Sequence, residues 1–170
     1  MKYVNGSLLD VKEGYILHQT NCVTLYPKGL AEDIEKKFPG TCPYRFRKGV
    51  RVAREEDRSV PGTVFIIGAK EGPIILNLFG QYGPGKNCYP GHEDTPTHRE
   101  KYFADGLEAL VDYFEGTEEN IKIAVPYKIG CGLAGGKWGD YRDMLESFEN
   151  KMKEAGINTE LTVYIFQPKN

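Results

Sequence analysis

The chain has 170 residues, 40% of them hydrophobic and 27% charged, enough to bury one core without help from metals or disulfides. Its 22 basic and 24 acidic residues leave a net charge of −2, which gives no general field for polyanions and argues against long duplex nucleic acid as a partner. The four cysteines, Cys22, Cys42, Cys88 and Cys131, have neither Cys-x-x-Cys nor Cys/His ligand spacing, so no metal site and no disulfide framework is expected.

The opening residues Met1 to Gly6 lack the apolar core of a leader segment, and no stretch has the length needed to span a bilayer. A soluble, cytoplasmic monomer with no membrane partner is expected, folded as a single domain over residues 1–170. Tyr3-Val4 opens a sheet, and Tyr15 to Gln19 is its second apolar run. That run turns abruptly polar in His18-Gln19-Thr20-Asn21, and strand ends are where α/β proteins keep their sites. Asn21 offers an amide for a hydroxyl or carbonyl, and His18 is a candidate proton carrier because imidazole ordinarily titrates near neutrality. Lys28-Gly29-Leu30-Ala31 then opens a helix over Leu30 to Phe38, with Glu32 and Asp33 suiting the positive end of its dipole.

Arg45 to Arg58 is rich in basic residues and poor in apolar ones, which predicts an exposed connection. Gly62 to Ile67 and Ile74 to Phe79 are the next strands. Between Tyr82 and His98, three glycines and three prolines break regular structure while Tyr82, Tyr89, His92 and His98 supply stacking and hydrogen-bonding groups; a long loop beside a site is expected. Phe103, Leu107, Leu110, Val111 and Phe114 recur at spacings of three and four, marking a helix over Tyr102 to Phe114. Ile121 to Pro126 is a fifth strand, Met144 to Met152 lies in a helix, and Leu161 to Phe166 is the sixth strand. Strands alternating with helices predict an α/β fold with a parallel or mixed sheet.

Ile129-Gly130-Cys131-Gly132-Leu133-Ala134-Gly135-Gly136 stands between the fifth strand and the helical segment from Tyr141 to Lys153, closed by the only tryptophan, Trp138. Glycines let the backbone approach a ligand, and the first turn of the following helix offers unpaired N–H groups, so the loop reads as an anion cradle. Cys131 within it is either a packing residue or a nucleophile with a depressed pKa.

Taken together, these residues resemble the macro domains, which bind ADP-ribose and its derivatives. Lys2 to Asp10 looks like the family's opening strand and turn, Ile16 to Asn21 like the strand ending at the distal ribose, and Gly29-Leu30-Ala31 like the first ligand loop. Pro126 to Gly136 with Trp138 looks like the diphosphate loop, and Leu161 to Tyr164 like the closing strand. The resemblance implies a three-layer α/β/α domain with a mixed central sheet, holding ADP-ribose or a derivative against Ser7, Leu8, Asn21, Gly29, Leu30, Ala31 and the loop from Ile129 through Gly130, Cys131, Gly132, Leu133 and Ala134 to Gly135 and Gly136. No cofactor is implied. The Ile-Gly-Cys-Gly-Leu loop and the His18/Asn21 spacing are similar to ADP-ribose-1″-phosphate phosphatases and terminal ADP-ribose glutamate hydrolases, which implies hydrolysis at the distal ribose with His18 and Asn21 as catalytic groups; the alternative is a non-catalytic ADP-ribose or nucleotide binding module. Ser7 stands where the family usually has an Asp for adenine, Ala134 where the glutamate hydrolases have a catalytic Asp, and Lys137 where an Asp often precedes the tryptophan.

Overall fold

A computed structural model describes residues 1–166; residues 167–170 of the expected domain lie outside the described residues. In chain order the elements are β1 (Lys2–Asn5), β2 (Tyr15–Asn21), α1 (Leu30–Lys37), β3 (Gly49–Val50), β4 (Val52–Ala53), β5 (Val64–Gly68), β6 (Ile74–Gln81), α2 (Pro96–Phe114), β7 (Ile121–Pro126), α3 (Trp138–Glu154) and β8 (Thr159–Ile165). Six strands form one sheet in the order β1-β8-β7-β2-β6-β5. All neighbours are parallel except β5 and β6, which are antiparallel, so the expected mixed α/β sheet is what forms.

Strand alternation divides the apolar residues between the two faces. Leu17, Leu76, Leu78, Ile123, Val125 and Val163 pack under Phe103, Leu107 and Leu110 of α2 and Tyr141, Leu145 and Phe148 of α3. Ile16, Ile75 and Ala124 turn the other way, against Ile34 of α1 and its neighbour Phe38. Each such side chain, fully buried, contributes about 1.5–3 kcal/mol relative to exposure, so the three layers follow from two apolar faces of one sheet.

Two expectations need correction. The loop that begins at Tyr82 ends at Thr95, and α2 starts at Pro96, well before Tyr102. Pro96 is a starter here: it occupies the first helical turn, where its missing N–H costs nothing, while the Thr95 hydroxyl accepts from His98 N and the His98 ring accepts from Thr95 N. Arg45 to Arg58 is exposed over much of its length but carries the small β3–β4 ribbon, and its Arg47 is only 7% exposed. That buried guanidinium donates to the carbonyls of Asn21 and Thr24 and to Ser59 Oγ, and stacks 4.3 Å over the Tyr44 ring. Among the described residues, no helix is long and apolar enough to cross a membrane.

Candidate functional site

The chain leaves β2 through α1 on one face of the sheet toward β5 and β6, and leaves β7 through α3 on the other face toward β8. Adjacent strands whose connections run in opposite directions create a crevice at their C-terminal ends, where open α/β sheets bind ligands. A cavity of about 650 Å³ occupies that position, reached by the ends of β2 and β7 and by the start of α1. Lys28 and Lys128 stand on its wall, whereas no carboxylate, imidazole or thiol does among the described residues.

The glycine loop builds one side. Gly130 has φ 76° and lies against the buried ring of Tyr141; a Cβ there would stand 2.8 Å from Tyr141 Cζ. Gly136 presses on the same ring, and its N–H donates to Gly130 O at 2.9 Å, which closes the loop. Cys131 N donates to Lys128 O and Gly135 N to Gly132 O. The amides of Gly130, Gly132, Leu133 and Ala134 have no partner among the described residues, and these four residues line the cavity. Cys131, Gly135 and Gly136, whose amides are spent inside the loop, stand off the wall. Clustered N–H groups of this kind form an anion-binding concavity.

The expectation that the following helix adds its first-turn amides is not met, since no residue of α3 reaches the wall. The helix end that does is that of α1: Gly29, Leu30 and Ala31 line the cavity, and the first backbone bond of that helix is Asp33 N to Gly29 O. Unpaired first-turn N–H groups and the positive dipole end therefore come from the opposite side to the glycine loop. The two sides nearly touch, because a Cβ on Gly29 would stand 3.5 Å from Leu133 Cδ1.

Asn21 ends β2 on the wall and is nearly buried. Its Oδ1 accepts from Val23 N at 3.0 Å, Thr24 N at 2.9 Å and Thr24 Oγ1 at 3.0 Å, so the carbonyl is committed while the Nδ2 donors have no partner among the described residues. Gln19 and Gln81 form the floor beside it, with Gln19 Nε2 donating to Gln81 Oε1 at 2.8 Å and Gln81 Nε2 to Gly83 O at 2.9 Å. A register shift between Thr20 and Asn21 places Asn21 opposite Gln81.

His18 is not brought to this site. It pairs in register with Asn77 on the α1 face, 2% exposed, with Nε2 2.6 Å from Asn77 Oδ1 and Nδ1 buried without a partner. Burial pushes its pKa down to about 4, against a smaller opposing effect of the Asn77 hydrogen bond. Ser7 and Leu8 also lie off the cavity wall: Ser7 Oγ accepts from Leu9 N at 3.2 Å, and Leu8 is core. Ile129, Gly130, Gly132, Leu133 and Ala134 are on the wall with Gly29, Leu30, Ala31 and Asn21. At Cys131, burial pushes the thiol up to about 11, the reverse of what a nucleophile needs.

Two residues with no motif around them shape the site. Asp94 and Arg99 form a fully buried ion pair at 2.9 Å beneath the Tyr82 to Thr95 loop. Burial alone would raise the Asp94 carboxyl, but the Arg99 guanidinium and the N–H groups of Gly83, Tyr82 and Tyr89 outweigh it and hold it below the usual carboxylate range. They stand five positions apart, which places Asp94 before the helix cap and Arg99 on the first turn; a buried-pair reading needs the helix to begin at Pro96, which the glycine and proline content of that stretch concealed.

No protein-family profile matches the chain, and no curated protein matches it. Among solved structures, a protein of unknown function from Bacteroides thetaiotaomicron is similar with a TM-score of 0.66 and 21% identity, over 96% of this chain and 96% of that one. A macrodomain protein from Streptomyces coelicolor gives 0.57 and 17% over 99% of each chain. A Trypanosoma brucei macrodomain in complex with ADP-ribose gives 0.61 and 13%, over 96% of this chain and 62% of that one. The fold is therefore that of the macrodomains.

Proposed function

We propose that this protein binds ADP-ribose, or a derivative that keeps its diphosphate and distal ribose, in the cavity between β2 and β7. The observation that carries the reading is that Gly130, Gly132, Leu133 and Ala134, whose amides have no partner among the described residues, line one cavity with the start of α1, two lysines and no acid. Such a wall suits two phosphates and repels none. The solved macrodomain with ADP-ribose bound supports the choice of ligand. In this reading Asn21 Nδ2 holds a ribose hydroxyl, and the adenine end leaves the cavity, since Ser7 and Leu8 lie off its wall.

Binding without turnover is the form the wall favours. Hydrolysis at the distal ribose needs a group to take or give a proton near neutral pH, and the one imidazole of β2 is buried off the cavity wall against Asn77. Calorimetric titration with ADP-ribose, followed by a phosphate-release assay with ADP-ribose-1″-phosphate on the same sample, tests both parts. Saturable one-to-one binding with no release above background supports the reading. Absence of binding overturns it, and release that disappears in Asn21→Ala replaces it with the phosphatase.

A further inference from the structure

We propose that Arg99 is the positioning residue of this site: it holds the Pro84-Gly85 wall and the Gly130 to Gly136 loop in the one arrangement that aims the loop amides into the cavity. The inference rests on the binding reading above. Arg99 is 2% exposed and is absent from the cavity wall, so it acts through its neighbours.

Its Nη1 donates at once to Gly85 O at 2.6 Å and Ala134 O at 3.0 Å. Gly85 and Ala134 lie on the two walls, so a single nitrogen bridges them. No direct hydrogen bond joins the two loops among the described residues; the guanidinium is the hydrogen-bonded link, beside the Lys86 stem that packs on Gly135. Nε and Nη2 meanwhile grip Asp94 at 3.0 and 2.9 Å, and Asp94 in turn accepts from the N–H groups of Tyr82, Gly83 and Tyr89. The whole long loop is thus wound around one ion pair. Further bonds from Nη2 reach Asn87 O at 3.2 Å and Gly83 O at 3.4 Å. A planar fork with five donors can serve a carboxylate and several carbonyls together, whereas a lysine ammonium cannot span them. With the Ala134 carbonyl pinned by Arg99 and Gly135 N pinned to Gly132 O, the peptide between Ala134 and Gly135 is fixed at both ends. The preceding amides inherit that orientation.

If losing the bridge leaves the loop in its binding register in about a tenth of the molecules, the apparent Kd rises about tenfold. The test uses the full chain with Arg99→Lys, Arg99→Gln and Asp94→Asn, at a temperature where circular dichroism shows each folded. Two readouts are taken: calorimetric affinity for ADP-ribose, and hydrogen exchange of the bonded loop amides of Cys131, Gly135 and Gly136. The expected result is affinity about tenfold weaker or worse in Arg99→Lys and Arg99→Gln, with faster exchange in the loop but unchanged exchange in β7 and α3. Folded variants with wild-type affinity and wild-type loop exchange overturn the proposal. Wild-type protein that does not bind ADP-ribose defeats the binding reading instead, and the exchange arm still decides the positioning role. If every variant unfolds, wild-type exchange decides: loop amides as fast as the open turn at Gly116 contradict a pinned loop, and strong protection supports one.

Discussion

Replacing Gly130 with alanine tests the account of the glycine loop on its own terms, with Gly132→Ala as the internal control. At Gly130 the backbone has φ 76°, where an L-residue loses roughly 1–2 kcal/mol. The added methyl would stand 2.8 Å from Tyr141 Cζ and 2.9 Å from Cδ1, and that ring is 1% exposed, with Phe103 4.8 Å away. Overpacking of this kind costs about 1–3 kcal/mol, so the substitution should destabilise by roughly 2–5 kcal/mol in all. At about 2–4 °C per kcal/mol for a chain of this size, Tm should fall by on the order of 10 °C. Gly132 has no positive φ, and a methyl added there would meet nothing within 4 Å, so Gly132→Ala should leave Tm within about 2 °C, or raise it slightly by restricting the unfolded chain. Thermal unfolding of the two variants beside wild type, in one buffer, is the assay. Equal shifts in both, or a Gly130→Ala shift under about 2 °C, would refute the reasoning that the loop is moulded over Tyr141.

His18 makes stability depend on pH. The unfolded chain takes up its proton below the ordinary value of 6.5 and the native protein only below about 4, so stability is full at neutral pH and falls as pH drops through that window, by about 2 kcal/mol at pH 5. Urea unfolding at pH 7 and pH 5 measures this, and His18→Gln should flatten the difference. Arg47→Ala strips the carbonyls of Asn21 and Thr24 of a buried charged donor and should cost roughly 2–4 kcal/mol, read from the same unfolding curves. With native protein and a thiol reagent at pH 8, Cys88 should react first, because it is exposed; Cys22 and Cys42 are buried, and burial pushes Cys22 up to about 12 and Cys131 up to about 11. Lys28→Ala and Lys128→Ala should each weaken ADP-ribose binding about two- to fivefold and reduce its salt dependence, measured by titration at two ionic strengths.

Much of the fold was legible because it is written in local patterns. The apolar runs of β2, β6 and β7 and the three-four spacing of Phe103, Leu107, Leu110 and Phe114 fix elements whatever else surrounds them. The glycine loop was legible for the same reason. His18 lies too deep in β2 to reach the cavity: Gln19, Thr20 and Asn21 at the strand end line it, whereas His18 is buried in register with Asn77, and alternation turns its side chain away from that of Asn21. Parity alone would have put Gln19 with Asn21. Asp94, Arg99 and Arg47 were not legible, since what makes them matter is a set of carbonyls from distant segments that only the folded chain collects. The source of the helix dipole was ambiguous for a similar reason: the sequence shows glycines before both α1 and α3, and only the packing of Gly130 and Gly136 over Tyr141 turns the α3 end away from the cavity.

The central claim, that the loop amides and the start of α1 cradle a diphosphate, is tested most directly by following backbone amide resonances of ¹⁵N-labelled protein during titration with ADP-ribose. The account predicts saturable shifts concentrated at Gly130, Gly132, Leu133, Ala134, Leu30 and Ala31 and at the Asn21 side-chain amide. Shifts confined to residues off the cavity wall, such as Leu107 of α2 and Met144 of α3, or no shifts at saturating ligand, would contradict it.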